Sequence, residues 1–519
     1  MIERIDAIII GTGHNGLVCG AYLARAGLKV LFLEARDSVG GMASASAIDD
    51  DYHIPGLAHT SFPICPKIRK DLRLDKFGYA TGKAIDTIAL DEDGRHLRIG
   101  QRSVSGPGLG DRDVNAYARF KNEYLDYARA LRPLFESRPP RLKNMHFADK
   151  ATLARLGWNI RFGLGRESMY EFLRVAAINI YDVLEEVFDD ERLKGALAAD
   201  AVLGHHMGPR SPGTVLTWLT RLYGELNGPL SVVCGGRSQL VHALLQAAEA
   251  SGASVRIGAK VKKILVEKGK AFGVETEDGE LVKARTIVSN ADPRSTFLDL
   301  VGAPELDAMF AQRVSQIRGA GDVAKLHLAL SGKPEFSGLS ESDIENRLLI
   351  APTVNYVEHA FNHAKYDECS TDPILEITIP SLHNDALAPT GHHIMSVNIM
   401  YAPYNMAGTR HEQKATFAYK VIAQIGRYAP NLKSLIVNYE LLTPRDIERQ
   451  YHVRQGHWHH VEMTLHQSFM MRPVHGAAQY DSPVDGLFLC GAGTHPGGGL
   501  TGLPGRNAAK RILAMRAGT

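Results

Sequence analysis

The chain has 519 residues, 45% of them hydrophobic, and a formal charge of only +2. That length allows several hydrophobic cores, and so small a charge excludes a general electrostatic affinity for nucleic acid or strongly anionic partners. The five cysteines (Cys19, Cys65, Cys234, Cys369, Cys490) stand singly, with no C-x-x-C pair and no zinc-like pairing, so disulfide chemistry is not expected and a reducing compartment, the cytoplasm, is.

The opening MIERIDAIIIG is too short and mixed to span a bilayer, and no later run approaches 18 uninterrupted apolar residues. Attachment to a membrane surface remains open. Residues 6–35 parse as a β-branched strand, a glycine turn, a helix and a second strand, a complete βαβ unit. PKIRKDLRLDK, at 66–76, reads as a solvated helix face. DEDGRHLRIG, at 91–100, reads as a short hairpin, and an amphipathic helix follows in DVNAYARFKNEYLDYARALRPLF. Helices continue to about 227, including one unbroken helix over MYEFLRVAAINIYDVLEEVF, residues 169–188. From Gly235 a glycine turn, helix, strand and hairpin suggest a return to the first domain, whereas 300–480 mixes strands with one long helix, as in an antiparallel α+β domain. The chain ends on a buried strand, a glycine-rich loop and a helix.

Gly11-Thr12-Gly13-His14-Asn15-Gly16 lies directly after a strand and opens a helix, the context in which G-x-G-x-x-G signifies dinucleotide binding. Gly11 permits the tight turn, Gly13 admits the backbone to a pyrophosphate, and Gly16 lets the helix pack on the strand. The positive end of the helix then faces the phosphates. Glu34 ends the second strand, 23 residues after Gly11, placed to accept hydrogen bonds from ribose hydroxyls. FAD and NAD are not distinguished by these features. Arg36 to Met42, with Gly40 and Gly41, offers a second pass of backbone around the cofactor, which a plain nicotinamide dehydrogenase does not need. GPGLGD at 106–111 lacks the flanking strand and helix, so one dinucleotide is assigned, and it is FAD. At the other end, Gly491 to Gly505 holds so many glycines between a strand and a helix that backbone must lie against something flat or charged. A helix N-terminus there suits the pyrimidine edge of a flavin.

The first fingerprint with Arg36 to Gly41, GG-x-x-x-L at Gly235 to Leu240, and GLFLCGAGTHPGGGLTG together resemble the phytoene desaturase-like branch of the flavin amine oxidase superfamily. Gly456 to Pro473, GHWHHVEMTLHQSFMMRP, strengthens the resemblance. It implies an α/β architecture: a discontinuous Rossmann-like FAD domain (1–95, 228–300, 480–519) and an α+β substrate domain with a helical insertion (96–227, 301–479). It further implies that Gly11, Gly13, His14, Asn15, Gly16, Glu34, Arg36, Gly40, Gly41 and Met42 hold the adenosine and pyrophosphate. Val261 would meet the adenine through its backbone, and Gly491, Gly493, Thr494, Gly502 and Leu503 would serve the ribityl and flavin end.

Flavin oxidation of a C–H bond needs a hydride acceptor and sometimes a base. His59, in PGLAHTSF, and His459 and His466, in the cluster with His457, His460, Glu462 and Arg472, are the candidate bases, since histidine titrates near neutral pH. H-x-H-H lacks the further ligands a zinc site requires, so no metal is expected. The expected activity is dehydrogenation or desaturation of a largely apolar, isoprenoid-like small molecule. The alternatives are a flavin amine oxidase, disfavoured by the three tryptophans available for an aromatic cage, a redox-neutral isomerase, and a non-catalytic FAD-binding interaction or regulatory protein.

Overall fold

A computed structural model describes residues 5–232, 238–405 and 411–517. Gly235 and Gly236 of the GG-x-x-x-L segment, and Cys234, lie outside the described residues. Five short parallel strands form the first sheet, in the order Ser254–Arg256, Val30–Leu33, Ala7–Ile10, Thr286–Ser289, Leu487–Leu489. The two ends of the chain thus meet in one sheet. Its centre, AIII, is buried on both faces, as a parallel sheet covered on two sides requires.

The alternation of the strand decides what covers each face. Ala7, Ile9, Val30 and Phe32 pack with Leu17, Leu23 and Leu244 of the helices His14–Arg25 and Ser238–Glu249. Ile8, Ile10, Leu31 and Leu33 pack on the antiparallel meander Val261–Glu267, Lys270–Thr276 and Leu281–Lys283. The last helix, Leu503–Ala517, lies against His14–Arg25, and a Cβ on Gly505 would stand 2.1 Å from the Asn15 carbonyl oxygen.

An eight-stranded sheet forms the second layer system. Its order is Ile436–Leu442, Val323–Leu330, His393–Met400, Leu375–Thr378, Arg347–Ile350, Thr87–Ala89, Leu97–Ile99, Val104–Ser105. All neighbours are antiparallel except Arg347–Ile350 with Thr87–Ala89, which come from distant stretches of chain. The hairpin read at 91–100 forms around the turn closed by Gly94 N–H to the Asp91 carbonyl (3.1 Å). Its first strand, Thr87–Ala89, belongs to this sheet and not to the parallel one. The helix expected over 169–188 is two: Arg166–Val175 ends, and the Asn179 side chain accepts from Asp182 N–H (2.9 Å) to start Ile180–Val187. Trp218, fully buried, stacks on Phe120 (5.1 Å between centroids) and anchors this helical region on the core. Among the described residues no helix is long and apolar enough to cross a membrane.

Candidate functional site

Ligands of open parallel sheets bind beyond the carboxyl ends of the strands, and there a cavity of about 490 Å3 lies. Its wall draws on segments from both ends of the chain and from its middle. Gly11, Gly13, His14 and Asn15 come from the first turn, Glu34 and Ala35 from the second strand, Gly40 to Ala43 from the next turn, Lys260 and Val261 from the meander, and Ala492, Gly499 and Leu500 from the C-terminal loop. Leu57, Ala58, Asp299, Glu448, Tyr451 and Trp458 to His460 also contribute.

The first turn is built for close approach. Gly11 has φ +88°, which a side chain disfavours, and a Cβ on Gly16 would meet the Gly11 carbonyl at 2.4 Å. The helix His14–Arg25 has Gly13 at its N-cap and no side-chain cap, so its first N–H groups stay available to an anion. Glu34 is buried, and one carboxylate oxygen accepts from Thr12 N–H (2.7 Å) and Thr12 hydroxyl (2.5 Å) while the other accepts from Arg36 N–H (3.1 Å). The Arg36 side chain does not reach the cavity wall. Its guanidinium donates to the Gly41 carbonyl (3.2 Å) and Ser44 hydroxyl (2.8 Å) and lies 4.6 Å from the Tyr451 ring centre, fixing the Gly40–Ser44 turn. Gly40, at φ +111°, closes that turn with its N–H on the Thr12 hydroxyl (3.3 Å).

Asn290, directly after the parallel strand Thr286–Ser289, was not singled out by sequence. It lines the cavity and lies between the two glycine loops: a Cβ on Gly13 would stand 2.7 Å from its Nδ2, and one on Gly491 2.6 Å from its carbonyl oxygen. Position alone, at the carboxyl end of a parallel strand, could have marked it. His14 Nε2 donates to the Gly499 carbonyl (3.1 Å) and ties the two ends of the chain together at the cavity rim.

Gly491, Gly493, Thr494, Gly502 and Leu503 stand behind the wall, whose surface is formed by their neighbours Ala492, Gly499 and Leu500. The Thr494 hydroxyl donates to the Gly491 carbonyl (2.8 Å), and Leu503 is fully buried at the start of the last helix. Gly493 packs on Pro293, where a Cβ would come within 2.6 Å. Arg472 is the clamp of this region. Fully buried, it donates to the carbonyls of His459, Val461, Glu462, Gln467, Ala492 and Thr494, between 2.9 and 3.3 Å, and so binds the histidine loop to the glycine loop. Burial pulls its guanidinium down to about 9.

The three candidate bases separate. His459 lines the cavity, stacked on His205 at 4.6 Å, in a place kept open by Gly498, whose Cβ would fall 1.8 Å from Nδ1. Burial, then Arg472, lowers its pKa to about 3, so it is neutral and a weak base near pH 7, contrary to the expectation for a base. His466 is exposed on the short turn Leu465–Gln467, outside the wall, because that turn points its side chain to solvent. His59 is buried one residue beyond the lining Ala58, and its Nδ1 accepts from the Lys325 ammonium at 2.5 Å.

That contact opens onto a polar row that sequence did not reveal. Lys325, Asn398 and Glu376 face one another in register across three adjacent strands. Lys325 donates to Asn398 Oδ1 (2.9 Å), Asn398 to Glu376 (2.5 Å) and Arg347 to Glu376 (2.6 Å); Arg347 also forms an ion pair with Asp200 (2.8 Å), and His59 Nε2 lies 3.3 Å from Glu376. Burial would raise the Glu376 carboxyl, but Arg347 and His59 hold it well below the carboxylate range.

A dinucleotide fits this cavity. Asn15 Oδ1, Trp458 Nε1, His459 Nδ1 and His460 Nδ1, all buried in residues of its wall, have no hydrogen-bond partner among the described residues, and buried polar atoms seldom go unmatched. The acid, the uncapped helix and the glycine turns supply the remaining parts.

The family model of flavin-containing amine oxidoreductases matches residues 16–513. The rat protein called pyridine nucleotide-disulfide oxidoreductase domain-containing protein 2 is 32% identical, over 98% of this chain and 93% of its own length. A lycopene-forming phytoene desaturase of Pantoea ananas is 25% identical, over 98% of both chains. Among solved structures, wild-type putrescine oxidase bound to putrescine superposes with a TM-score of 0.61 at 15% identity, over 99% of each chain, a likeness of fold.

Proposed function

This chain belongs to the flavin-containing amine oxidoreductase family and is an FAD-dependent oxidoreductase; we propose that it dehydrogenates a carbon–carbon bond of a largely apolar, isoprenoid-like small molecule. Bound FAD supplies the hydride acceptor at its N5. Glu34 would take the ribose hydroxyls, the N–H groups at the start of His14–Arg25 the pyrophosphate, and Val261 the adenine. Trp458, His459, His460, Ala492 and Leu500 would surround the flavin end.

One observation carries the substrate class. Leu57, Ala58, Trp458 and Leu500 in the wall are apolar or aromatic, and burial holds the neighbouring His459 and His460 neutral, at about 3 and about 4. The wall's carboxylates are already engaged: Glu34 by Thr12, Asp299 by Arg454 (2.9 Å), and Glu448 by Gln455 N–H (2.9 Å). An ammonium substrate would find no uncommitted counter-ion among these acids, whereas a hydrocarbon needs none. Similarity along the whole chain to a phytoene desaturase supports the same class, while the likeness to putrescine oxidase extends to the fold alone.

Thiol chemistry, which the name of the rat relative suggests, finds no support. Burial and the neighbouring Cys19 push the Cys490 thiol well above its ordinary pKa, the reverse of what thiol–disulfide exchange requires.

The test is anaerobic mixing of FAD-loaded protein with acyclic and cyclic isoprenoids and with primary amines, following the visible flavin band. Bleaching by an isoprenoid and not by amines is expected. Bleaching by amines alone would replace the reading with amine oxidation, and a bound flavin that no compound bleaches would favour the non-catalytic one.

A further inference from the structure

Seven of the sixteen large hydrophobic side chains exposed among the described residues fall between Leu142 and Leu173, so this is a patch and not the ordinary scatter of single apolar residues. Its core is the helix Phe147–Trp158, continued by the wider turn Asn159–Gly163. Phe147 and Trp158 are three turns apart on one line of that helix, with Ala151 and Ala154 between them. Phe162 extends the line, its ring 4.5 Å from that of Trp158. These three are 87%, 65% and 60% exposed.

A surface helix ordinarily turns its apolar stripe inward. This one is already docked by its other face, where Asp149 is buried and Leu156 and Ile160 pack on the main core. A second apolar stripe therefore faces water. Lys150, Arg155 and Arg161 flank it, all exposed. From Arg141 to Arg174 the segment holds seven cations against three carboxylates, in a chain whose net charge is only +2. Two of those carboxylates are engaged, Asp149 by Arg138 and Glu171 by Arg174.

We propose that this face docks on the surface of an anionic lipid bilayer, with Phe147, Trp158 and Phe162 seated at the boundary of headgroups and acyl chains and the flanking cations on the headgroup phosphates. A bilayer matches both features, an apolar layer beneath a sheet of negative charge. A second copy of the same face matches only the first, since two cationic surfaces repel. The docking is independent of the substrate assigned above.

The experiment is co-sedimentation of full-length, FAD-loaded protein with phosphatidylcholine vesicles, with and without an equal part of phosphatidylglycerol. Two variants accompany it: Phe147→Ser/Trp158→Ser/Phe162→Ser, and Lys150→Glu/Arg155→Glu/Arg161→Glu. All six positions are on the surface, and unchanged flavin content and circular dichroism serve as the check of folding. The wild type is expected to pellet with the anionic vesicles and far less with the neutral ones. At about 1 kcal/mol per cation near the surface, charge reversal should weaken binding about 100-fold or more, and the serine variant should lose both binding and the blue shift of tryptophan emission. No pelleting of the wild type with anionic vesicles at low salt, or pelleting of both variants equal to that of the wild type, would overturn the proposal. So would a wild-type dimer that the serine variant converts to monomer, which would make a second copy the occupant.

Discussion

Replacing Glu34 with Gln tests the cofactor cradle at nearly constant volume. The Glu34 carboxylate holds three donors, Thr12 N–H, Thr12 hydroxyl and Arg36 N–H. An amide keeps one acceptor oxygen and turns a donor toward whichever partner faces its nitrogen. Hydrogen bonds to a charged group contribute about 1.5–3 kcal/mol and neutral ones about 0.5–1.5, so loss of charge and one mismatch should cost the apo fold about 2–3 kcal/mol. Ribose hydroxyls bonded to the same carboxylate would lose about 1–2 kcal/mol more on binding, roughly a 10-fold weaker FAD affinity. Thermal melting of the apoprotein reads the first quantity, and titration of apoprotein with FAD by flavin fluorescence reads the second. A Gln variant that melts lower but binds FAD with unchanged affinity would remove Glu34 from the cofactor site and leave it a structural acceptor of the first turn.

Arg472→Met should destabilise the protein by about 3–5 kcal/mol, because it strands buried carbonyls that share one guanidinium; denaturant unfolding measures it, and a loss under 1 kcal/mol, an ordinary surface effect, would show that the clamp is dispensable. His466→Ala should change activity and stability little, within about 0.5 kcal/mol as at other exposed positions, whereas His59→Ala removes the contact with the Lys325 ammonium and should lower both; equal effects in the two variants would contradict their placement. Stability should fall with acid. Burial lowers the pKa of His205 and His457 well below 6.5 and that of His495 to about 4. Because these folded-state values lie under the unfolded one, the unfolded chain binds more protons as pH drops below about 6.5, and each histidine removes up to about 1.4 kcal/mol per pH unit. The three together give a slope of about 4 kcal/mol per unit, and melting temperatures that stay level from about pH 7 to about pH 5 would refute it.

The fingerprint could be read from sequence because its chemistry is local. Gly11 to Gly16, Glu34 and Gly40 act within one βαβ unit, and their spacing already dictates the turn. The C-terminal glycines announced a close approach, but spacing could not say which of them face the cavity: Gly493 is needed by Pro293 and Gly498 by His459. The row from Lys325 to Arg347 was hidden for a different reason. Its members are scattered among largely apolar strands, and only the register of four strands brings them together. His59 looked like a residue near the flavin face, yet its partners lie more than 260 positions away. Asn179 reads as helix interior in the sequence, since a single Asn in an apolar run marks a cap only through its side chain, which accepts from Asp182 N–H. The pairing of Thr87–Ala89 with Arg347–Ile350 joins stretches some 260 residues apart, which no local pattern announces.

The most direct measurement is rapid anaerobic mixing of the FAD-loaded protein with an isoprenoid that bleaches it and with the same compound deuterated at the carbon losing hydride. The account predicts bleaching slowed several-fold by the deuterium, with the dehydrogenated hydrocarbon as product. Bleaching at an unchanged rate, with no new double bond in the product, would contradict hydride removal from the substrate carbon.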